Sequence, residues 1–175
     1  LGADIISKEE RDKTAEFLFV KPASRNKIVT SKLFAALANI LLFNLVTMGS
    51  SIFMVQRYSK GVEVIGDIMI LMAGMFILQL LFLLIGTALA AVSKNPKTAT
   101  SLSTGILLVT FILSIAIDMN SRIEKLKYLT PFKYYDAKDL MSEGFNPIYI
   151  TISIVAMGVL LSGTYVLYIK RDLNV

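Results

Sequence analysis

Four long blocks of this chain contain no charged residue: Leu33 to Gln56, Ile68 to Ser93, Thr98 to Ile117 and Gly144 to Ile169. Each is 20 to 26 residues long and mostly apolar. A water-soluble helix keeps charge along its outer face, whereas ~18 apolar residues without charge are enough to cross a bilayer. Four such blocks exclude a soluble globular domain, a disordered chain and a lone membrane anchor. Lipid offers no hydrogen bonds, so every backbone polar group at that depth must find its partner inside the chain, and a helix achieves this within one segment. The expected fold is an all-α, polytopic helical membrane protein. Its spans are A (33–55), B (68–92), C (101–117) and D (148–169), with an external loop over 118–146. Residues 1–31 form a segment outside the membrane, and 32–175 form the transmembrane domain.

The rest of the composition narrows the chemistry. The chain has no Cys and no His, so thiolate and imidazole metal sites, Cys nucleophiles, His bases and disulfides are all excluded. With no carboxylate pair inside a span either, a membrane hydrolase would lack its usual residues. The net charge of +5 fits basic cytoplasmic loops better than nucleic-acid binding, since no basic face lies on a soluble module. Eleven Lys and Arg fall in the N-terminal segment, the B–C loop and the tail, against seven on the other side. That bias places the N-terminal segment and the tail in the cytoplasm.

Local signals mark the ends of several elements. Asn146-Pro147 supplies an N-cap and a first-turn proline for D. Lys94-Asn95-Pro96-Lys97 separates B from C. Ser7-Lys8-Glu9-Glu10 has capping-box spacing, which predicts a helix from Lys8 that Lys21-Pro22 ends. That helix would carry Phe17 and Leu18 near its end. Its aromatic end has two readings, an interfacial helix dipping into lipid or a docking knob for a cytoplasmic protein.

Within the spans, Asn44, Thr47 and Ser51 share one face of A, with Asn39 farther round and Gln79 in the middle of B. Buried polar groups in membranes turn toward other helices or a wet cavity, so these residues either bond between helices or line a substrate path. Gly86 with Ala90, and Gly158 with Ser162, have the small-xxx-small spacing of close helix contacts. Asp67 suits the N-terminus of B. Asp118 sits at the unfavourable C-terminus of C, where Arg122 is the expected partner. In the C–D loop, Pro131 should divide two short amphipathic helices lying on the outer membrane face. Tyr149, Tyr165 and Tyr168 fit aromatic belts.

The run Ile6-Ser7-Lys8-Glu9-Glu10, then Lys13-Thr14-Ala15-Glu16-Phe17-Leu18, then Lys21-Pro22-Ala23-Ser24-Arg25 and Ser31-Lys32-Leu33 resembles the first cytoplasmic loop of ABC-2 type transporter permeases. Tyr128 to Ala137 before the last span, and Tyr168 to Leu173 after it, are similar to the endings of that family. The resemblance covers essentially the whole chain. It implies that A to D correspond to the third to sixth of six spans, and that the chain is the later part of a longer protein. It also implies a coupling helix docked on a separate ATP-binding-cassette ATPase subunit. The contact candidates carried over are Glu9, Glu10, Thr14, Glu16, Phe17, Leu18, Pro22, Ser24 and Arg25. No Walker A pattern occurs in the sequence, so ATP and Mg are expected in the partner and no cofactor on this chain.

The expected function is that of a permease subunit of an exporter in the cell membrane, paired with a second copy or a paralogue and bathed in membrane lipid. The path candidates are Asn39, Asn44, Thr47, Ser51 and Gln79. The alternative is a non-transporting membrane protein that assists assembly or signalling.

Overall fold

A computed structural model describes residues 1–11, 24–58, 64–93 and 95–170, the side chains of 9–11, 121, 169 and 170 excepted. Among these residues the secondary structure is entirely helical. The helices are α1 (Gly2–Arg11), α2 (Arg25–Tyr58), α3 (Ile65–Val92) and α4 (Pro96–Met119), then a 3-10 helix (Ser121–Leu129), α5 (Pro131–Tyr134), α6 (Ala137–Glu143) and α7 (Pro147–Lys170). α2, α3, α4 and α7 are each long and apolar enough to cross a membrane, so the protein is membrane-embedded. They carry the four uncharged blocks. α2 has 34 residues, about 50 Å at 1.5 Å per residue, and so overruns a hydrocarbon layer of ~30 Å. Absence of charge marks the apolar layer; it does not mark where the helix stops.

The proline signals act as expected. The Asn146 side chain accepts from the Ile148 amide at 2.9 Å, and Asn95 does the same for the Lys97 amide at 3.0 Å, each with Pro at the first helical position. The bundle has two ends, called here the Arg25 face and the Tyr58 face after the ends of α2.

α3 is the central helix. Its mean hydropathy of 2.8 exceeds the 1.8 to 2.1 of the other three spans, and it packs on α1, α2, α4, α6 and α7. Its contacts use small residues, since lipid is as apolar as Leu and close backbone approach is what favours helix association there. A Cβ on Gly86 would lie 2.8 Å from the Ala3 amide nitrogen. α1 and α3 therefore touch backbone to backbone, as the Gly86–Ala90 spacing predicts. Thr87 and Thr164, both fully buried, meet hydroxyl to hydroxyl at 3.4 Å between α3 and α7. The second small pair behaves otherwise. Gly158 and Ser162 are exposed, and nothing lies within 4 Å of a Cβ on Gly158. Spacing alone cannot say which way a face turns.

α1 also departs from expectation. The helix begins at Gly2 and runs through Ser7, which is buried at 3% exposure, so Ser7 caps nothing. Ala3, Ile6 and Ser7 form one face at i, i+3, i+4, and the packing of that face on α3 outweighs a short capping pattern. Glu9 and Glu10 lie in its last turn.

The loop between the third and fourth spans returns into the bundle from the Tyr58 face. It is not a cap lying on the membrane surface. The 3-10 helix descends along α4 to Thr130, which is 0% exposed and donates to the Thr110 carbonyl at 2.8 Å. Thr110 is nine residues, or about 13 Å, inside the end of α4. Pro131 divides the loop there, as predicted. Phe132 packs between Phe82 and Phe111, with ring centroids 5.1 and 5.4 Å away. The chain then climbs back through α6, whose Leu140 covers Gly74. Two buried tyrosines of the loop find partners inside the bundle: Tyr135 donates to Ser153 at 2.7 Å and Tyr134 to the Tyr128 carbonyl. The three tyrosines expected in aromatic belts also make contacts within the bundle. Tyr149 stacks on Tyr134 at 5.0 Å and 12°, Tyr165 bonds Thr30 at 2.7 Å, and Tyr168 is buried.

Candidate functional site

The polar residues of the spans do not form one continuous line. Asn44 is buried on α2, and its amide donates to the Gln79 side-chain oxygen on α3 and to the Ile40 carbonyl at 3.3 Å. Its own Oδ1 is buried without a partner among the described residues. Among the described residues, this pair joins two of the path candidates. Asn39 is exposed and turns back to the Ala35 carbonyl at 3.0 Å. Thr47 bonds the Phe43 carbonyl at 2.8 Å, and Ser51 lies half-buried farther along. A hydroxyl in lipid can satisfy itself on its own helix, so shared face in sequence does not guarantee a shared channel.

Gln79 also borders a cavity of about 430 Å³ between α3 and α4, within the size range of small-molecule sites. Phe82, Phe132 and Leu107 make its apolar wall, and Asp4, Thr100, Ser103 and Thr104 make a polar one. Reading the sequence missed this wall. The run Thr100, Ser103, Thr104 at i, i+3, i+4 was a signal for it, but nothing local says that Asp4 and Phe132 come to the same place.

Of the contact candidates, Thr14, Glu16, Phe17, Leu18 and Pro22 lie outside the described residues, as does the predicted helix end at Lys21-Pro22. The backbone of Glu9 and Glu10 closes α1, while Ser24 and Arg25 open α2. The Ser24 hydroxyl accepts from the Lys27 amide at 3.4 Å, a first-turn bond of the capping kind. The segment between these ends thus leaves one packed helix and enters another, both at the Arg25 face. α1 and α2, which flank residues 12–23 in sequence, both pack against α3.

The sequence profile of the ABC-2 family transporter proteins matches residues 1–173. The chain belongs to the ABC-2 transporter family. A search of curated proteins finds no match. The chain is therefore a membrane domain of ABC-2 permease type, and its described residues include no group of three or more acidic, His or Cys side chains able to hold a metal.

In this ABC-2 permease the returning loop is fastened by charge. Lys133, whose side chain is 10% exposed, binds Asp118 at the end of α4 and Asp136 at 2.7 Å. Lys133, rather than the nearby Arg122, is the partner of Asp118. Asp136 also caps α6 by accepting from the Lys138 amide at 3.0 Å. Burial pushes the Asp136 carboxyl up, but the bonds from Lys133 and the Lys138 amide outweigh it and hold it below its ordinary value. Burial likewise pulls the Lys133 ammonium down, and its two carboxylate bonds more than reverse this.

The pH window follows from these directions. The Asp136 contribution is present above its ordinary value of 3.8 and is lost as pH falls through the lower folded value. The Lys133 contribution holds below 10.5 and fades as pH rises through its higher folded value. The fastening should be constant across neutral pH. Lys133→Met is expected to lower unfolding stability by about 2 kcal/mol at neutral pH, with the deficit shrinking well below about pH 4. Thermal unfolding in detergent across pH would check both; a deficit unchanged at low pH would contradict the ionic origin.

Proposed function

We propose that this chain is the permease subunit of an ATP-driven exporter in the cell membrane, powered by a separate ATP-binding-cassette subunit bound at the Arg25 face. The family match supports a permease, and the motor is assigned to a partner because the sequence has no Walker A pattern. In this reading the Arg25 face is cytoplasmic, consistent with its excess of Lys and Arg. The observation that carries the proposal is the packing of the two helices that flank residues 12–23 in sequence. α1 is wedged on α3 at Gly86 and α2 also packs on α3, so force delivered through either helix reaches the packed bundle.

Glu9, Glu10, Thr14, Glu16, Phe17, Leu18, Pro22, Ser24 and Arg25 are the proposed ATPase contacts, with the apolar pair giving affinity and the charges fixing register. Asn44 and Gln79, beside the cleft, are the polar part of the path. This chain works with a second copy or a paralogue, and ATP and Mg bind on the ATPase partner.

Co-isolation tests this directly. The tagged full-length chain, extracted in mild detergent, should bring down an ATP-binding-cassette subunit whose ATPase activity is retained. Isolation without any such subunit, under conditions where the permease is folded, would favour the non-transporting alternative and overturn the proposal.

A further inference from the structure

α1 has ten residues, yet it touches three membrane-crossing helices, each by a different kind of contact. Against α3 the contact is backbone on backbone: a side chain on Gly2 would strike the Leu83 carbonyl, and one on Gly86 would strike the Ala3 amide. Against α4 it is a side-chain hydrogen bond, the Thr100 hydroxyl donating to Asp4 Oδ1 at 3.0 Å. Against α2 it is a charged donor on a carbonyl, Lys32 Nζ to the Ile6 oxygen at 3.1 Å. Apolar packing surrounds these contacts: Ala3 and Ile6 share one buried cluster with Val29 of α2, Ala90 and Ala91 of α3, Ala99 of α4 and Tyr168 of α7.

These contacts differ in how they respond to force. Two interlocked backbones move as one body, because shifting either requires moving whole helices. A single hydrogen bond can break and reform within a packed bundle and so has two states. We infer that α1 and α3 form one rigid unit driven from the neighbouring docking segment, and that Thr100 and Lys32 are the positioning residues that make α4 and α2 follow it. This inference rests on the proposed function and adds the route by which a motor at the Arg25 face reaches the far side.

The geometry gives the movement a consequence. Asp4 and Thr100 both line the cavity between α3 and α4, so the bond that ties α4 to α1 also spans one end of that cleft. Shifting the α1–α3 unit with the bond intact carries α4 along and preserves the cleft. Shifting it with the bond broken parts α3 from α4 and changes the cleft. Thr100 has an alternative acceptor ready, the Pro96 carbonyl of its own helix at 3.3 Å. Releasing Asp4 therefore does not strand the hydroxyl proton.

The test uses the absence of native cysteine and two sites exposed at the Tyr58 face, Tyr58 at 80% and Met119 at 84%. Spin labels on Tyr58→Cys and Met119→Cys report the separation of α2 and α4 far from α1. The full-length chain, isolated with its ATPase subunit in lipid nanodiscs, is measured without nucleotide and with ATP plus orthovanadate. A nucleotide-driven shift in the distance distribution is expected. Thr100→Val and Lys32→Met should each reduce the shifted population about fivefold or more, with the ATPase subunit still bound and the unfolding temperature little changed. Thr100→Ser, which keeps the hydroxyl, should restore the shift. An undiminished shift in both Thr100→Val and Lys32→Met, or a loss in Thr100→Ser equal to that in Thr100→Val, would overturn the inference while leaving the functional reading standing. Failure to recover any ATPase subunit would overturn both.

Discussion

Valine in place of Gly86 is expected to damage the described bundle severely, lowering unfolding stability by about 3 kcal/mol. The reason is the identity of the atom it would meet. A Cβ there lies 2.8 Å from the backbone nitrogen of Ala3, with further Gly2 backbone atoms at 3.2 Å. A clash with the tip of a side chain can be relieved by a rotamer change, but one with backbone requires the helix to move. Moving α1 would also disturb Ala3 and Ile6, its two most buried apolar residues. Gly105 provides the control. It lies in another span of the same bundle, and nothing is within 4 Å of its added Cβ, so Gly105→Val should fall within roughly 0.5 kcal/mol of the parent. Thermal unfolding in detergent decides the matter. Equal behaviour of the two variants would mean that α1 does not sit against α3.

The second large effect concerns association. Replacing Phe17 and Leu18 with Asp should strip the ATPase subunit from the permease. Truncating an interface anchor costs at least ~2 kcal/mol, and two anchors together weaken binding on the order of a thousandfold. Burying a carboxylate in an apolar pocket adds to the loss. Pull-down with the tagged chain measures the effect. Replacing docking residues should leave the bundle intact, so the unfolding temperature should not fall with association. Retention of the ATPase subunit by the double variant would remove Phe17 and Leu18 from the docking surface.

The two variants separate the kinds of information this chain carries. Phe17 and Leu18 stand out by their order and spacing in the chain, whereas the weight of Gly86 rests on its distance to the Ala3 backbone. The same division runs through the elements. Asn146-Pro147 and Asn95-Pro96 announce their helix starts because a cap and a fixed φ act within three residues. Pro131 divides the returning loop for the same local reason. Ser7 misled because its capping pattern is equally short, while the face that decided its fate belongs to α3, more than 70 residues away in sequence. Lys133 displaced Arg122 as the partner of Asp118 only because the loop re-enters the bundle.

By itself, the sequence determined that four helices cross a membrane, where their apolar stretches lie and to which family they belong. These follow from the cost of burying charge and unpaired backbone groups in lipid, which every residue of a span meets individually. Only the tertiary structure decided that α3 is central, that α1 locks onto it, that the loop reaches Thr110, and that Asn44 finds Gln79 while Asn39 and Thr47 turn back on their own helix. In lipid an inward and an outward face are almost equally apolar, so hydropathy carries little record of which residues touch. That choice is made by small residues and single hydrogen bonds between helices, and it exists only once the helices have met.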